Sequence, residues 1–123
     1  MNHILTWCEI PVTDMRRAKA FYAEVLDISF IEEEMDGNQL AIFEAEQDQI
    51  TGSLVMGDKY QPSETATIVY LNAGEDLTGA LQRAEQKGAK VLWPKSPIGD
   101  GSSGYFAQFT DLEGNRVGLY SLQ

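Results

Sequence analysis

Glu9 is the residue in this chain best placed to do chemistry. It lies in an otherwise largely apolar stretch, Ile4-Leu5-Thr6-Trp7-Cys8-Glu9-Ile10. Side chains alternate along a strand, so Glu9 shares a face with Trp7, and Cys8 faces the other way. A carboxylate on an apolar face needs a partner, because unpaired burial is costly. Arg116, a tyrosine hydroxyl or a ligand cation would serve. Glu9 is then an anchor for a ligand, or a general base beside a substrate proton. The same alternation groups Thr51, Ser53 and Val55, pairs Ile68 with Tyr70, and joins Arg116 to Gly118 and Tyr120. Aromatic walls with a few polar groups are the usual lining of a small-molecule pocket. Trp7, Tyr70 and Tyr120 would equally well fill a core, and the residues alone leave both readings open.

Other groups carry less. Glu32-Glu33-Glu34 with Asp36 could attract a cation, but such a run before a turn is more simply a solvated strand end. The loop Ile98-Gly99-Asp100-Gly101-Ser102-Ser103-Gly104 precedes a strand and has no lysine nearby. Phosphate-cradling glycine loops precede a helix. A lid over a pocket and a plain surface loop both remain open for it.

The elements that would position these residues come in two similar series. Residues 4–12 read as a strand ending at Pro11, and Thr13 or Asp14 caps a helix. That helix carries Met15, Ala18, Phe21, Tyr22, Val25 and Leu26 as one apolar stripe. Strands over 28–35, 39–44 and 51–56 follow, with Asp36-Gly37 a strong hairpin signal. Gly57 to Ser63 join the halves. The second series has a strand over 66–72 and a helix over 75–87, with Leu77, Leu81 and Ala84 inward and Gly88 after its end. Strands over 90–93, 105–109 and 116–121 complete it, with a loop from Pro94 to Gly104. A shift of 61 residues lays Trp7 on Ile68, Ile10 on Leu71 and Asp14 on Glu75. The expectation is a duplicated βαβββ unit of α+β class.

Composition limits the function. The 123 residues suit one domain, and 43% hydrophobic content is ordinary. No apolar run approaches the ~18 residues needed to cross a membrane. Met1-Asn2-His3-Ile4 lacks the basic region of a signal peptide. A lone Cys8 fits a reducing cytoplasm. Net charge is −10, and the one compact basic group is Arg16, Arg17 and Lys19. Nucleic acid, which needs clustered cations, and membranes are not expected partners.

Three segments together resemble a known family. They are Glu9-Ile10-Pro11-Val12-Thr13-Asp14 with Ala18-Lys19-Ala20-Phe21-Tyr22, then Asn72-Ala73-Gly74-Glu75-Asp76-Leu77, then Asp111-Leu112-Glu113-Gly114-Asn115-Arg116-Val117-Gly118-Leu119. They resemble the vicinal-oxygen-chelate superfamily of glyoxalase I, extradiol dioxygenases and bleomycin-resistance proteins, and its small glyoxalase-related branch most. The resemblance covers nearly the whole chain. It implies a single domain of two βαβββ modules, about 1–57 and 64–123, curling into a half-open barrel with the helices outside. Relatives of this size are commonly homodimers.

Enzymes of that superfamily hold a divalent metal that polarises substrate oxygens. Carried over by position, the ligand sites fall here on Trp7, Ser53, Ile68 and Gly118. None is a usual metal ligand, so neither a metal nor another cofactor is expected. Gly52 and Gly118 remove bulk where the family places ligands. The expected function is metal-independent binding of a small molecule in an aromatic cup lined by Trp7, Glu9, Ser53, Ile68, Tyr70, Arg116, Gly118 and Tyr120. The alternatives are a metal-independent isomerase or lyase using Glu9 as base, and an interaction module whose cup is filled.

Overall fold

The computed structural model describes residues 3–123. The chain divides into two compact units, Met1–Pro62 and Ser63–Gln123. The first contains β1 (Glu9–Pro11), α1 (Met15–Leu26), β2 (Phe30–Met35), β3 (Asn38–Phe43) and β4 (Ser53–Met56). The second contains β5 (Val69–Asn72), α2 (Thr78–Gln86), β6 (Lys90–Pro97), β7 (Tyr105–Thr110) and β8 (Arg116–Ser121). Both follow the βαβββ order expected from the sequence. The sheets run β1-β4-β3-β2 and β5-β8-β7-β6, and neither closes into a barrel. In each, the first and last strands of the unit pair in parallel. The helix supplies the crossover that such a pairing requires.

In the first unit α1 lies against β3 and β4. Met15, Ala18, Phe21, Tyr22 and Val25 form its buried stripe. They meet Ile10, Leu54, Ala41 and Phe43, all buried. Tyr22 and Phe43 meet edge to face with centroids 6.4 Å apart. Asp14 starts the helix by accepting a bond from the Arg17 N–H at 3.1 Å. Asp27 ends it in the left-handed region, its N–H donating to the Ala23 carbonyl. The Asp36-Gly37 turn has φ of 53° and 83°. Two successive positive φ values suit the right-handed twist of the paired strands.

Three boundaries differ from the sequence expectation. The first strand begins at Glu9, not residue 4. Its partner β4 begins at Ser53, opposite Glu9, and before the Cys8 carbonyl, which accepts the Ser53 N–H at 3.0 Å, there is no strand left to pair with. Ile4 and Leu5 are accordingly exposed. The fifth strand begins at Val69, which leaves Ile68 just outside it. The sixth strand continues through Pro94 to Pro97 instead of stopping at Trp93. It is an edge strand paired only to β7, with register shifts on both sides of Trp93. An edge strand tolerates proline because one row of its N–H groups has no ladder partner.

The second helix also starts later than expected, at Thr78. Asp76 stands just before it and accepts bonds from both the N–H and the hydroxyl of Thr78. It also pairs with Lys95 of β6 at 2.9 Å. The Thr78 bonds and then Lys95 hold its carboxyl well below the usual carboxylate range.

The turn between β7 and β8 explains the Asp111 to Asn115 signature. Asp111 Oδ1 accepts the N–H groups of Glu113 and Asn115, each at 2.9 Å. Gly114 has φ of +96°, open to glycine at no steric cost. Asn115 Oδ1 accepts the Ser63 N–H at 3.1 Å, tying the turn to the start of the unit. Both side chains are buried. This turn sets the register of β8, and with it Arg116, Gly118 and Tyr120. Asp111→Ala leaves one buried and one part-buried N–H group without that acceptor. We expect a loss of about 1.5–3 kcal/mol in urea unfolding, with unchanged denaturant slope.

Candidate functional site

Each helix seals one face of its sheet, and the candidate residues lie on the other. In the first unit, the row Glu9, Ser53, Ile42 and Ile31 crosses the sheet in register. The corresponding row of the second unit is Tyr70, Gly118, Gln108 and Trp93.

In the first row Glu9 is exposed, at the first position of β1. Ser53 is fully buried, and its hydroxyl has no hydrogen-bond partner among the described residues. Trp7 precedes the strand and is 42% exposed. Burial, and then the Glu9 charge, push the Cys8 thiol above its ordinary value. Cys8 is therefore a protonated thiol at neutral pH and a poor nucleophile. Gly52 leaves no void: a Cβ there would run into Cys8. Thr51 uses its hydroxyl on the Phe43 carbonyl at 2.8 Å, so its polar group closes the β3–β4 connection.

The second row is a connected polar system under aromatic rings. Tyr70 reaches across Gly118, and its hydroxyl meets Gln108 Nε2 at 2.5 Å. A side chain at Gly118 would collide with the Tyr70 ring, so the missing side chain is what lets the ring lie there. Gln108 Oε1 accepts from Arg116 Nε at 2.8 Å and from Nη2 at 2.6 Å. Phe106, two residues before Gln108, meets Trp93 at 5.6 Å and Tyr70 at 6.4 Å between centroids. The register shift between Val91 and Trp93 is what places Trp93 opposite Gln108. Tyr70 is 46% exposed and Trp93 48%.

Arg116, Gly118 and Tyr70 thus come together as the alternation implied. Ile68 is half-buried beside them in sequence but outside the strand. The Tyr120 hydroxyl donates to the Ser103 carbonyl at 2.8 Å, pinning the glycine loop. That loop is also bonded internally, Ile98 N–H to the Gly104 carbonyl and Ser102 N–H to Asp100. Gln108, Trp93 and Phe106 were not singled out from the sequence. The available signal was Gln108 itself, one amide inside the apolar strand Tyr105 to Phe109.

The positions onto which the resemblance would carry metal ligands hold an indole at Trp7, a hydroxyl at Ser53, an alkyl group at Ile68 and no side chain at Gly118. Such a set does not fit a divalent cation, which needs imidazole, carboxylate or thiolate donors. Among the described residues no three His, Cys, Asp or Glu side chains gather closely enough to hold a metal.

Gly118→Ala tests the geometry of the second row. The added methyl must displace the Tyr70 ring and break its bond to Gln108. We expect a clear change in tyrosine near-ultraviolet circular dichroism, with a stability loss of about 1–3 kcal/mol from overpacking.

A family model described as the glyoxalase/bleomycin resistance protein/dioxygenase superfamily matches residues 1–119. No curated protein sequence matches the chain. Among solved structures, a glyoxylase/bleomycin resistance protein/dioxygenase domain from Frankia sp. EAN1pec is similar with a TM-score of 0.72 and 16% identity, over 98% of each chain. The fosfomycin resistance protein FosX of Listeria monocytogenes is similar with a TM-score of 0.67 and 16% identity, over 98% of this chain and 91% of its own. TnmS3, an antibiotic binding protein from Streptomyces sp. CB03234, gives a TM-score of 0.64 and 22% identity, over 98% of this chain and 96% of its own. At these identities the structures attest the fold. The match of the family model over nearly the whole length, on this βαβββ pair, establishes that the chain belongs to the glyoxalase/bleomycin resistance protein/dioxygenase superfamily.

Proposed function

We propose that this protein is a metal-independent binder of flat small molecules. The observation that carries the reading is the half-exposed pair Tyr70 and Trp93 above a hydrogen-bonded polar row, on the sheet face opposite α2. Rings left open to solvent over satisfied polar groups suit stacking against a planar ligand. The first unit by itself presents an exposed carboxylate at Glu9 and an open indole at Trp7. The similarity to TnmS3, an antibiotic binding protein, points the same way.

The remaining parts of the proposal concern the state of the protein. It works as one domain of two modules, about 1–57 and 64–123, assembled as a C2 homodimer in the cytoplasm. Two-fold pairing is the default for such an assembly, and the edge strands β1, β2, β5 and β6 are natural sites for it. No helix among the described residues is long and apolar enough to cross a membrane.

Native mass spectrometry of protein purified from cells, without added metal, reads these points together. We expect a dimer mass, no stoichiometric nickel, zinc or iron, and a retained small molecule. Close to one metal per chain, with activity lost to a chelator, would overturn the metal-free reading. A monomer at micromolar concentration would overturn the dimer.

Glu9→Gln keeps the side-chain shape and removes the charge. If Glu9 accepts a bond from the ligand, affinity for the retained molecule falls roughly tenfold to a hundredfold, as for loss of a charged hydrogen bond. Because Glu9 is exposed, the melting temperature should stay nearly unchanged. Calorimetric titration of both proteins checks it, and equal affinities would remove Glu9 from the site.

A further inference from the structure

The chemistry of the second row is one-sided. Arginine can only donate hydrogen bonds. Both bonds from Arg116 therefore fix the Gln108 amide with its oxygen toward the guanidinium. The amide nitrogen is then forced to face Tyr70, where it can only donate. The Tyr70 oxygen accepts that bond, which leaves its own hydrogen for another partner. Arg116 commits Nε and one N–H of Nη2 to Gln108, leaving its other donors uncommitted. Its charge has no carboxylate partner among the described residues. Thr110, opposite Arg116 in register, gives its hydroxyl to Glu64 at 2.7 Å, but Glu64 makes no ion pair with the guanidinium. A chain of net charge −10 thus keeps an unpaired cation on the same amide as Tyr70, whose half-exposed ring joins Phe106 and the half-exposed Trp93.

We propose that this face of the second unit binds planar aromatic anions, with the acidic group on Arg116 and Tyr70 and the ring system on Trp93 and Phe106. The proposal rests on the small-molecule binding reading above and adds the ligand class. Carboxylate and phenolate oxygens accept only, so they match the uncommitted donors of Arg116 and Tyr70. The free edge of the guanidinium suits a carboxylate in two-point contact. A ligand cation would meet the like charge of Arg116.

Three probes of one shape test it: 2-naphthoate, 2-naphthamide and 2-naphthylmethylammonium, titrated calorimetrically into the full-length protein at pH 7 and fixed salt. We expect naphthoate to bind at least tenfold tighter than the amide, and the ammonium to bind weakest. Arg116→Met should bring naphthoate and naphthamide within about threefold of each other. Tyr70→Phe keeps the ring and removes one donor, so it should reduce the preference about threefold to tenfold even if Arg116→Met fails to fold. Equal binding of the three probes, a preference for the ammonium, or a preference that survives Arg116→Met in a folded protein would each overturn the proposal. So would failure of all three probes to bind. In that case a small molecule still retained on purification leaves the general binding reading standing, and no retained molecule removes both.

Discussion

A single helix can seal only one face of a four-stranded sheet, and the arrangement of both units follows from that constraint. Alternation sends every second side chain to each face. Residues toward the helix are therefore apolar and buried: Ile10, Leu54, Ala41 and Phe43 under α1, and Val117, Leu119, Ala107 and Phe109 in the second sheet. The residues between them inherit the other face. Nothing in the packing under the helix dictates what they are. Glu9, Gln108, Arg116 and Tyr70 can accumulate there without disturbing the core, and this is where chemistry is free to differ between relatives of one fold.

The duplicated rows display that freedom. In register, Glu9 corresponds to Tyr70, Ser53 to Gly118, Ile42 to Gln108 and Ile31 to Trp93. One row carries an acceptor and an orphaned hydroxyl. The other carries donors joined through an amide. Strand order is the same in both, so the difference lies in the side chains and in the register shift that brings Trp93 into the second row. The glycine at 118 is the clearest case. The space a side chain would need there is taken by the Tyr70 ring.

The βαβββ order, the stripe of α1, the Asp36-Gly37 hairpin and the Asp111 turn were legible because each depends on local periodicity or turn chemistry, whereas in α2 Ala80 is buried with Ala84 and Leu81 is only half-buried. The strand ends were not. Residues 4–8 have strand-like composition, but a strand exists only as far as its neighbour extends, and β4 stops at Ser53. Pro94 reads as a breaker, yet an edge strand with shifted register accommodates it. The face shared by Arg116, Gly118 and Tyr120 followed from alternation. The Gln108 bridge did not, because it joins residues 38 and 8 positions apart in sequence. Trp93 was hidden for a related reason: the shift after Val91 changes which residue meets Gln108.

The direction of the hydrogen bonds then matters more than their number. If an acceptor stood where Arg116 is, Gln108 would turn its NH2 to it and its oxygen to Tyr70, and the tyrosine hydrogen would point inward. With a guanidinium at one end, the amide has one satisfying orientation, and the hydroxyl hydrogen at the far end has one outlet. The chain therefore fixes polarity without a charge on Tyr70 or on Gln108. It does so over a glycine, on a strand whose register is held by Asp111 and Asn115 in the preceding turn. The turn that marks the family in sequence is in this way the part of the fold that aims Arg116.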